Sequence, residues 1–461
     1  MVQFAQYGEV EKMSGAQTHH AGDAPAPPLQ FRQHPLRGRL LAEMHARPFA
    51  PLTAPHRVIH LAFMTDEEAA GQARARLAQW CEARGLPLPA ESARHHRAQC
   101  SGVALRFESH GEFTTYTWEF PGNGGGGSGA DTHEPAPDRL ARVMDGLQDL
   151  QDDDNGCGLL MVAVDLTLHG GSADLKSVFG EANLAIADVE GGAARVITDF
   201  RADAHGFVRI LVEDRGLSPA QGGALVQRLL EIETYRTMAL LGLPEAQALA
   251  PTIRRIETTL PGLLEEMRHS KGFTDNRRLL DALTGLAAEL ESDAAASLYR
   301  FGATRAYGDL VRLRLEAIAE KPVTGYDSWS SFLDRRLQPA IRTCLSTEER
   351  QANLSRKLSR AAQLLRARVD VELESQNSNL LQTMNARART QLRLQQTVEG
   401  LSVAAITYYI SGLLHRGLTG AREAGFAVDP TIVTAAAIPV ILIALALLVR
   451  RIRHTHDDGS G

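Results

Sequence analysis

The feature that most constrains this chain is a polar, arginine-rich run from near Thr347 to Glu399 that contains no proline and no interior glycine, and then turns apolar. Glycine and proline are the residues that most readily end a helix, so their absence over this length predicts one continuous helix. From Glu348 to Gln396 that helix spans about 50 residues and would measure roughly 75 Å. Its apolar row is Leu354, Leu358, Ala361, Leu365, Val369, Leu373, Gln376, Leu380 and Met384. The row closes about every 11 residues rather than every seven, which predicts a straight or slightly right-handed helix pairing. Ser346 and Glu349 are spaced to cap the start of this stalk.

Two apolar segments follow, Leu401 to Leu414 and Pro430 to Val449. The second has about 20 uncharged residues, enough to cross a bilayer as a helix. The first, counted from Gly400, has only about 15. Two explanations stand open: His415 and Arg416 snorkel at the far interface, or neighbours in an oligomer shield the helix. Tyr408 and Tyr409 fall near its middle, and Pro439 is placed to kink the second helix. Neither segment carries an acidic or paired ionisable residue at its centre, so no proton or ion relay is expected.

Arginines set the orientation. Arg387, Arg389 and Arg393 precede the first segment, and Arg450, Arg451 and Arg453 follow the second. The connecting loop has only Arg416 and Arg422, offset by Glu423 and Asp429. Counted by lysine and arginine near the spans, both flanks lie inside and the loop outside. The first thirty residues hold no charged stretch leading into an apolar one, so no secretory signal is expected and the large N-terminal part stays cytoplasmic. A net charge of -6 from 49 basic and 55 acidic residues gives no basic field, which argues against nucleic-acid binding. Cys81, Cys100, Cys157 and Cys344 form no CxxC pair and read as reduced thiols rather than zinc ligands.

Residues 1–30 are polar with Pro25, Pro27 and Pro28 near their end, the composition of a disordered leader. After a proline-broken helical stretch from His34, Val58–Phe63 reads as a strand. Thr65 and Glu68 form a capping-box spacing, predicting a helix over 66–84. Gly102–Ser109 and Glu112–Phe120 read as a hairpin, and residues 121–136 as a flexible glycine-rich loop. A helix over 137–150 and a strand over 159–168 complete a β-α-β-β-α-β order, the ferredoxin-like signature. A second hairpin pairs 194–201 with 206–213. Ser218-Pro219-Ala220-Gln221 is a helix start, and helices are expected over 219–241, 245–269, 275–319 and 328–344.

The most site-like cluster is Glu43, His45 and Arg47, with His34, His56 and His60 nearby. A carboxylate, an imidazole and a guanidinium within five residues can supply acid–base work and anion binding. The competing reading is a packed helix end, because no nucleophile or metal-ligand spacing accompanies them. Gly122–Gly129 lacks the Gly-Lys-Ser/Thr end of a phosphate loop, and Asp152–Gly156 lacks the ligands of a calcium loop. No metal or cofactor is expected. Within the stalk, Gln376, Asn377 and Asn379 interrupt the apolar row; either they fix the register of an oligomer or the row faces solvent there.

His34–Phe63, the helical stretch Phe332–Cys344 and above all Leu392–Tyr409 resemble a bacterial family of membrane-anchored proteins classed as a domain of unknown function. The strings HARPF, at residues 45–49, and QTVEGLSVAAITYY, ending at Tyr409, are the specific parts. The resemblance implies location and architecture and carries over no catalytic residue. The order of parts is also similar, in architecture alone, to CorA-type magnesium channels, which read their ion at a Gly-Met-Asn loop after the first span. Here Arg416–Pro430 contains neither Met nor Asn.

The expected fold is therefore α+β. It comprises a leader (1–30), a cytoplasmic mixed-sheet domain (31–215), a helical region (216–345), a stalk helix (346–397), a transmembrane hairpin (398–450) and a tail (451–461). The expected function is a membrane-anchored scaffold or sensor with a cytoplasmic head, homo-oligomeric through the stalk, in the bacterial inner membrane with both termini cytoplasmic. Its expected partners are the bilayer, further copies and proteins the sequence does not identify. A CorA-like channel or transporter is the alternative, and an enzyme using Glu43, His45 and Arg47 the third reading.

Overall fold

The computed structural model describes residues 34–37, 40–41, 49–90, 93–122, 135–141, 158–424 and 429–457. The leader, Glu43, His45, Arg47, Cys157, the Asp152–Gly156 turn, most of the glycine-rich loop and the helix expected beyond residue 141 lie outside the described residues. The chain is α+β and divides into two compact units, 1–238 with 307–337 and 239–306 with 338–461.

The first unit holds a mixed sheet of nine strands among the described residues, β1 His56–Met64, β2 His95–Cys100, β3 Val103–Ser109, β4 Phe113–Pro121, β5 Leu159–Gly170, β6 Ala185–Val189, β7 Ala194–Ala202, β8 Val208–Asp214 and β9 Lys321–Pro322. Their spatial order is β2-β3-β4-β1-β5-β8-β7-β6-β9. Within it, β3-β4-β1-β5 are all antiparallel neighbours, the order and directions that the β-α-β-β-α-β reading requires. Three strands that the sequence reading lacked extend the sheet. β2 and β9 form its two edges, and β6 pairs with both β7 and β9. Among these strands only β5 and β8 pair in parallel.

Period-two alternation separates the two faces. Ile59, Leu61 and Phe63 of β1, Leu105 and Phe107 of β3, and Tyr116, Trp118 and Phe120 of β4 point to one side. There they form a core with Ala73, Leu77 and Trp80 of α1 (Glu67–Glu82) and with Ala136 and Leu140 of α2 (Ala136–Ala141). Tyr116 stacks on Trp118 at 5.7 Å and meets the edge of Phe107 at 5.2 Å. The cap of α1 corrects the sequence expectation. Asp66, not Thr65, caps the helix by accepting the Ala69 N–H at 2.8 Å. Thr65 is buried and accepts a hydrogen bond from the Thr114 hydroxyl, so its oxygen serves the sheet instead.

After α3 (Leu175–Phe179) and the β6–β8 strands, α4 (Pro219–Leu240) starts as its sequence predicts. Ser218 and Gln221 bond each other's backbone N–H, at 3.0 and 3.3 Å. α4 covers the sheet face opposite α1. The irregular segment Ala50–Leu52 lies directly on it, with Leu52 N–H bonded to the Pro219 carbonyl at 2.9 Å. This close approach needs glycine: a Cβ on Gly223 would stand 1.8 Å from the Ala50 carbonyl oxygen. The described end of the HARPF string thus leads straight into a strap over α4.

In the second unit, α5 (Gly242–His269), α6 (Phe273–Ile318) and α7 (Trp329–Glu423) pack through Ile253, Ile256 and Leu260, Leu279, Leu283 and Leu290, and Leu354, Leu358, Ala361 and Leu365. α6 and α7 contribute residues to both units. α7 is 95 residues long and unbroken. The expected Ser346 cap is not formed, because the helix is already running when it reaches that residue. The first apolar segment is likewise the end of α7 rather than a separate helix. α7 is rooted in the first unit by Trp329, wholly buried and 4.9 Å from Phe200, with the Trp329 and Ser330 N–H groups both bonded to Glu320 at 3.0 Å.

Candidate functional site

Two features gather residues that the sequence reading singled out. The first is the pair formed by the end of α7 and α8 (Pro430–Asp457). Both helices are long and apolar enough to cross a membrane, and only 6% of each apolar window is buried. His415 Nδ1 and Thr434 Oγ1 meet at 3.3 Å across the pair. With only six residues between Glu423 and Pro430, that contact makes the helices antiparallel. Counting back from it, Pro430 is level with Thr419 and Val449 with Gly400. The part of α7 that lies alongside α8 is thus the full Gly400–Thr419 stretch, about 30 Å at the helical rise, with His415 and Arg416 about a turn from the end nearest the connecting loop.

Tyr408 and Tyr409 stand level with Ile441 and Val440, near the middle of the paired stretch, and are 76% and 70% exposed. Thr407 is buried, and its hydroxyl returns to the Val403 carbonyl at 2.7 Å. Pro439 lies inside α8, which continues through it. Gln376, Asn377 and Asn379 are all exposed on α7.

The second feature is a polar cleft between the sheet and α4, which the sequence reading did not anticipate. On its floor, His60 of β1 is buried between Thr117 of β4 and Thr234 of α4. Thr234 donates to the Leu230 carbonyl at 2.8 Å, so its oxygen accepts from His60 Nε2 at 3.1 Å, and Nδ1 then accepts from Thr117 at 2.8 Å. Burial, reinforced by Arg106, pushes the imidazole down to about 3. His60 is thus neutral, with both nitrogens engaged. Glu108 behaves oppositely. Burial raises its carboxyl, but the His95 hydrogen bond and the Arg106, His110 and His95 charges together hold it at about 2.

Arg106 donates to Gln227 at 3.3 Å, Gln227 donates to Glu231 at 3.0 Å, and Arg314 also bonds Glu231. Beside them lies a cavity of about 20 Å³, onto which the Thr115 hydroxyl faces, buried and without a hydrogen-bond partner among the described residues. A volume of about 10–15 Å³ holds one water, so this space suits a bridging water rather than a substrate. The cleft is a polar bolt fastening α4 to the sheet.

Of the histidines near Glu43, His60 is in this bolt, and His34 accepts the Leu36 N–H at 3.2 Å. Cys81, Cys100 and Cys344 are free thiols. Cys81 lies 3.7 Å from His96 Nε2, but burial raises its thiol and lowers the imidazole, so the pair is neutral.

The fold and its helix pair define an α+β protein with a nine-stranded mixed sheet, a helical unit and two apolar helices at the end of the described chain. Its sequence matches the family described as "Protein of unknown function (DUF3422)" over residues 32–456, and the chain belongs to that family. No curated protein and no solved structure matches it.

Proposed function

We propose that this chain is a two-span inner-membrane protein whose cytoplasmic head scaffolds or senses a partner at the membrane surface, and that it works as a homo-oligomer. The observation that carries this reading is the exposure of the apolar helices. A core helix of a soluble protein buries its apolar surface, whereas these two leave nearly all of it bare. The arginines at both inner ends favour cytoplasmic termini. The polar cleft of the sheet unit acts in this reading as a structural tie between α4 and the sheet, with its imidazole engaged at both nitrogens.

A second reading, an oligomeric channel, draws support from the exposed tyrosines at mid-span. The test of the first is fractionation. The protein should stay with membranes through an alkaline wash, and its head should resist protease added outside intact spheroplasts. Release by the wash, or digestion of the head from outside, would sink the proposal. Ion flux into proteoliposomes that disappears when Tyr408 is substituted would select the channel.

A further inference from the structure

We propose that a second copy of this chain packs in parallel along one seam of α7, from Leu373 to Tyr408. The proposal deepens the membrane reading above, on which its parallel orientation rests.

The apolar row of α7 changes period where its partner changes. Leu354, Leu358, Ala361 and Leu365 follow in mixed steps of four and three and are buried against α5 and α6 of the same chain. Near the end of this buried stretch Arg368 donates to the Met267 carbonyl at 2.7 Å, and Val369 is buried beside it. Beyond it the 11-residue row expected from the sequence runs on only through Gln376, Leu380 and Met384, whereas a strict seven-residue spacing that starts at Leu373 continues into the apolar segment: Leu373, Leu380, Arg387, Leu394, Leu401, Tyr408. The leucines are 40%, 62%, 66% and 73% exposed and Tyr408 76%, so the described residues leave this row uncovered. Three residues on from each stand Gln376, Thr383, Thr390, Thr397, Ala404 and Ser411. The three threonine hydroxyls bond the carbonyls four residues back, at 2.9, 3.0 and 2.9 Å, which satisfies them within the helix. The row is a single one, with small or polar residues at the companion position; its seven-residue spacing holds it on one stripe only if two helices wind left-handedly about each other.

The occupant follows from where the row runs. It passes from the polar stalk into the apolar span with its spacing unchanged. Water does not favour leucine at 373, 380 and 394, and lipid does not favour a tyrosine hydroxyl at mid-span. A surface that suits both stretches is a protein helix that leaves water and enters the bilayer at the same height. α7 of a second copy is such a helix, and a shared membrane topology makes the two parallel and in register. In this arrangement Arg387 is the single charged residue in the apolar row and Gln376 lies in the row beside it, the type of polar interruption that fixes register. Asn377 and Asn379 flank the seam.

The test is cysteine scanning of the full chain in native membranes, with the unsubstituted chain as the control for its own thiols. Under mild oxidant, Leu380→Cys, Leu394→Cys and Tyr408→Cys should form disulfide-linked dimers on the order of tenfold faster than Asn385→Cys and Leu392→Cys on the far side of the helix. Equal rates on the two sides, or no cross-link at any position, would overturn the seam. An alkaline wash keeps the two proposals apart. Protein that washes off yet cross-links at 380 and 394 retains the stalk seam and loses the membrane reading, whereas protein that stays in the membrane without cross-linking loses the seam alone.

Discussion

His60 gives the sheet unit a pH dependence whose size follows from its surroundings. In the unfolded chain its imidazole titrates near 6.5, and in the fold burial takes it to about 3. The unfolded state therefore binds the extra proton first as pH falls. The contribution of His60 to stability is flat above about pH 7, declines from about 6.5 downward, and levels off below about 3. At about 1.4 kcal/mol per pH unit the whole interval is worth about 5 kcal/mol, of which about 2 is lost by pH 5. Because His60 is only 4% exposed, solvent screening does not reduce this figure appreciably.

Other groups titrate over the same range, so the informative quantity is a difference of differences. His60→Gln keeps a donor and an acceptor between Thr117 and Thr234 but does not ionise. At pH 7 it should cost about 1–2 kcal/mol for imperfect hydrogen bonds. At pH 5 the gap between wild type and variant should shrink or reverse by about 2 kcal/mol. Hydrogen exchange of the β1 and β4 amides, corrected for intrinsic rates, reads the opening free energy of this part of the sheet without requiring the whole chain to unfold in one step. A gap of the same size at both pH values would refute the assignment of a neutral, fully engaged His60.

Two glycines inside helices should respond in opposite directions. Gly223→Ala forces a Cβ into the Ala50 carbonyl and should cost about 1–3 kcal/mol, with faster proteolysis of the 49–52 strap, while Gly262→Ala meets nothing within 4 Å and should gain about 0.5–1 kcal/mol. Trp329→Ala empties the packing against Phe200 at the root of α7 and should lower stability by about 3–5 kcal/mol, read as the exchange protection of β7. Timed alkylation under native conditions should label Cys100 ahead of Cys81 and Cys344, whose burial raises their thiols; equal labelling would contradict the packing of α1 and α7.

The strands that the sequence revealed are those with a period or a turn. Phe113–Phe120 alternates, Leu159–Leu168 is a long apolar run, and the 194–214 hairpin turns at His205-Gly206. The missed strands lack those signals. β2 reads His-His-Arg-Ala-Gln-Cys, β6 has five residues, and β9 is a Lys-Pro pair that only an edge position tolerates. The cleft was hidden for a related reason. Arg106 and Glu108 on alternate positions of β3 look like a solvated face, and only the topology shows that Gln227, Glu231 and Thr234 of α4 cover it. One signal was available. A lone histidine in the apolar run Val58–Phe63, opposite threonines on β4, marks a polar partner on the covered face.

The Ser346–Glu349 signature failed for a reason that bears on the whole of α7. A cap becomes useful only if the preceding chain leaves the helix, and here the preceding residues have better uses for it. Ala340, Ile341 and Cys344 are buried one turn apart, and that spacing requires the helical backbone to continue. A cap contributes about 1 kcal/mol, whereas burying Ile341 alone contributes about 1.5–3. The same comparison applies at Gly400, where a helical glycine costs about 1 kcal/mol against the backbone bonds that a break in the helix would forfeit. Local punctuation loses at both points, and the helix that begins against Phe200 continues without a stop into the apolar span.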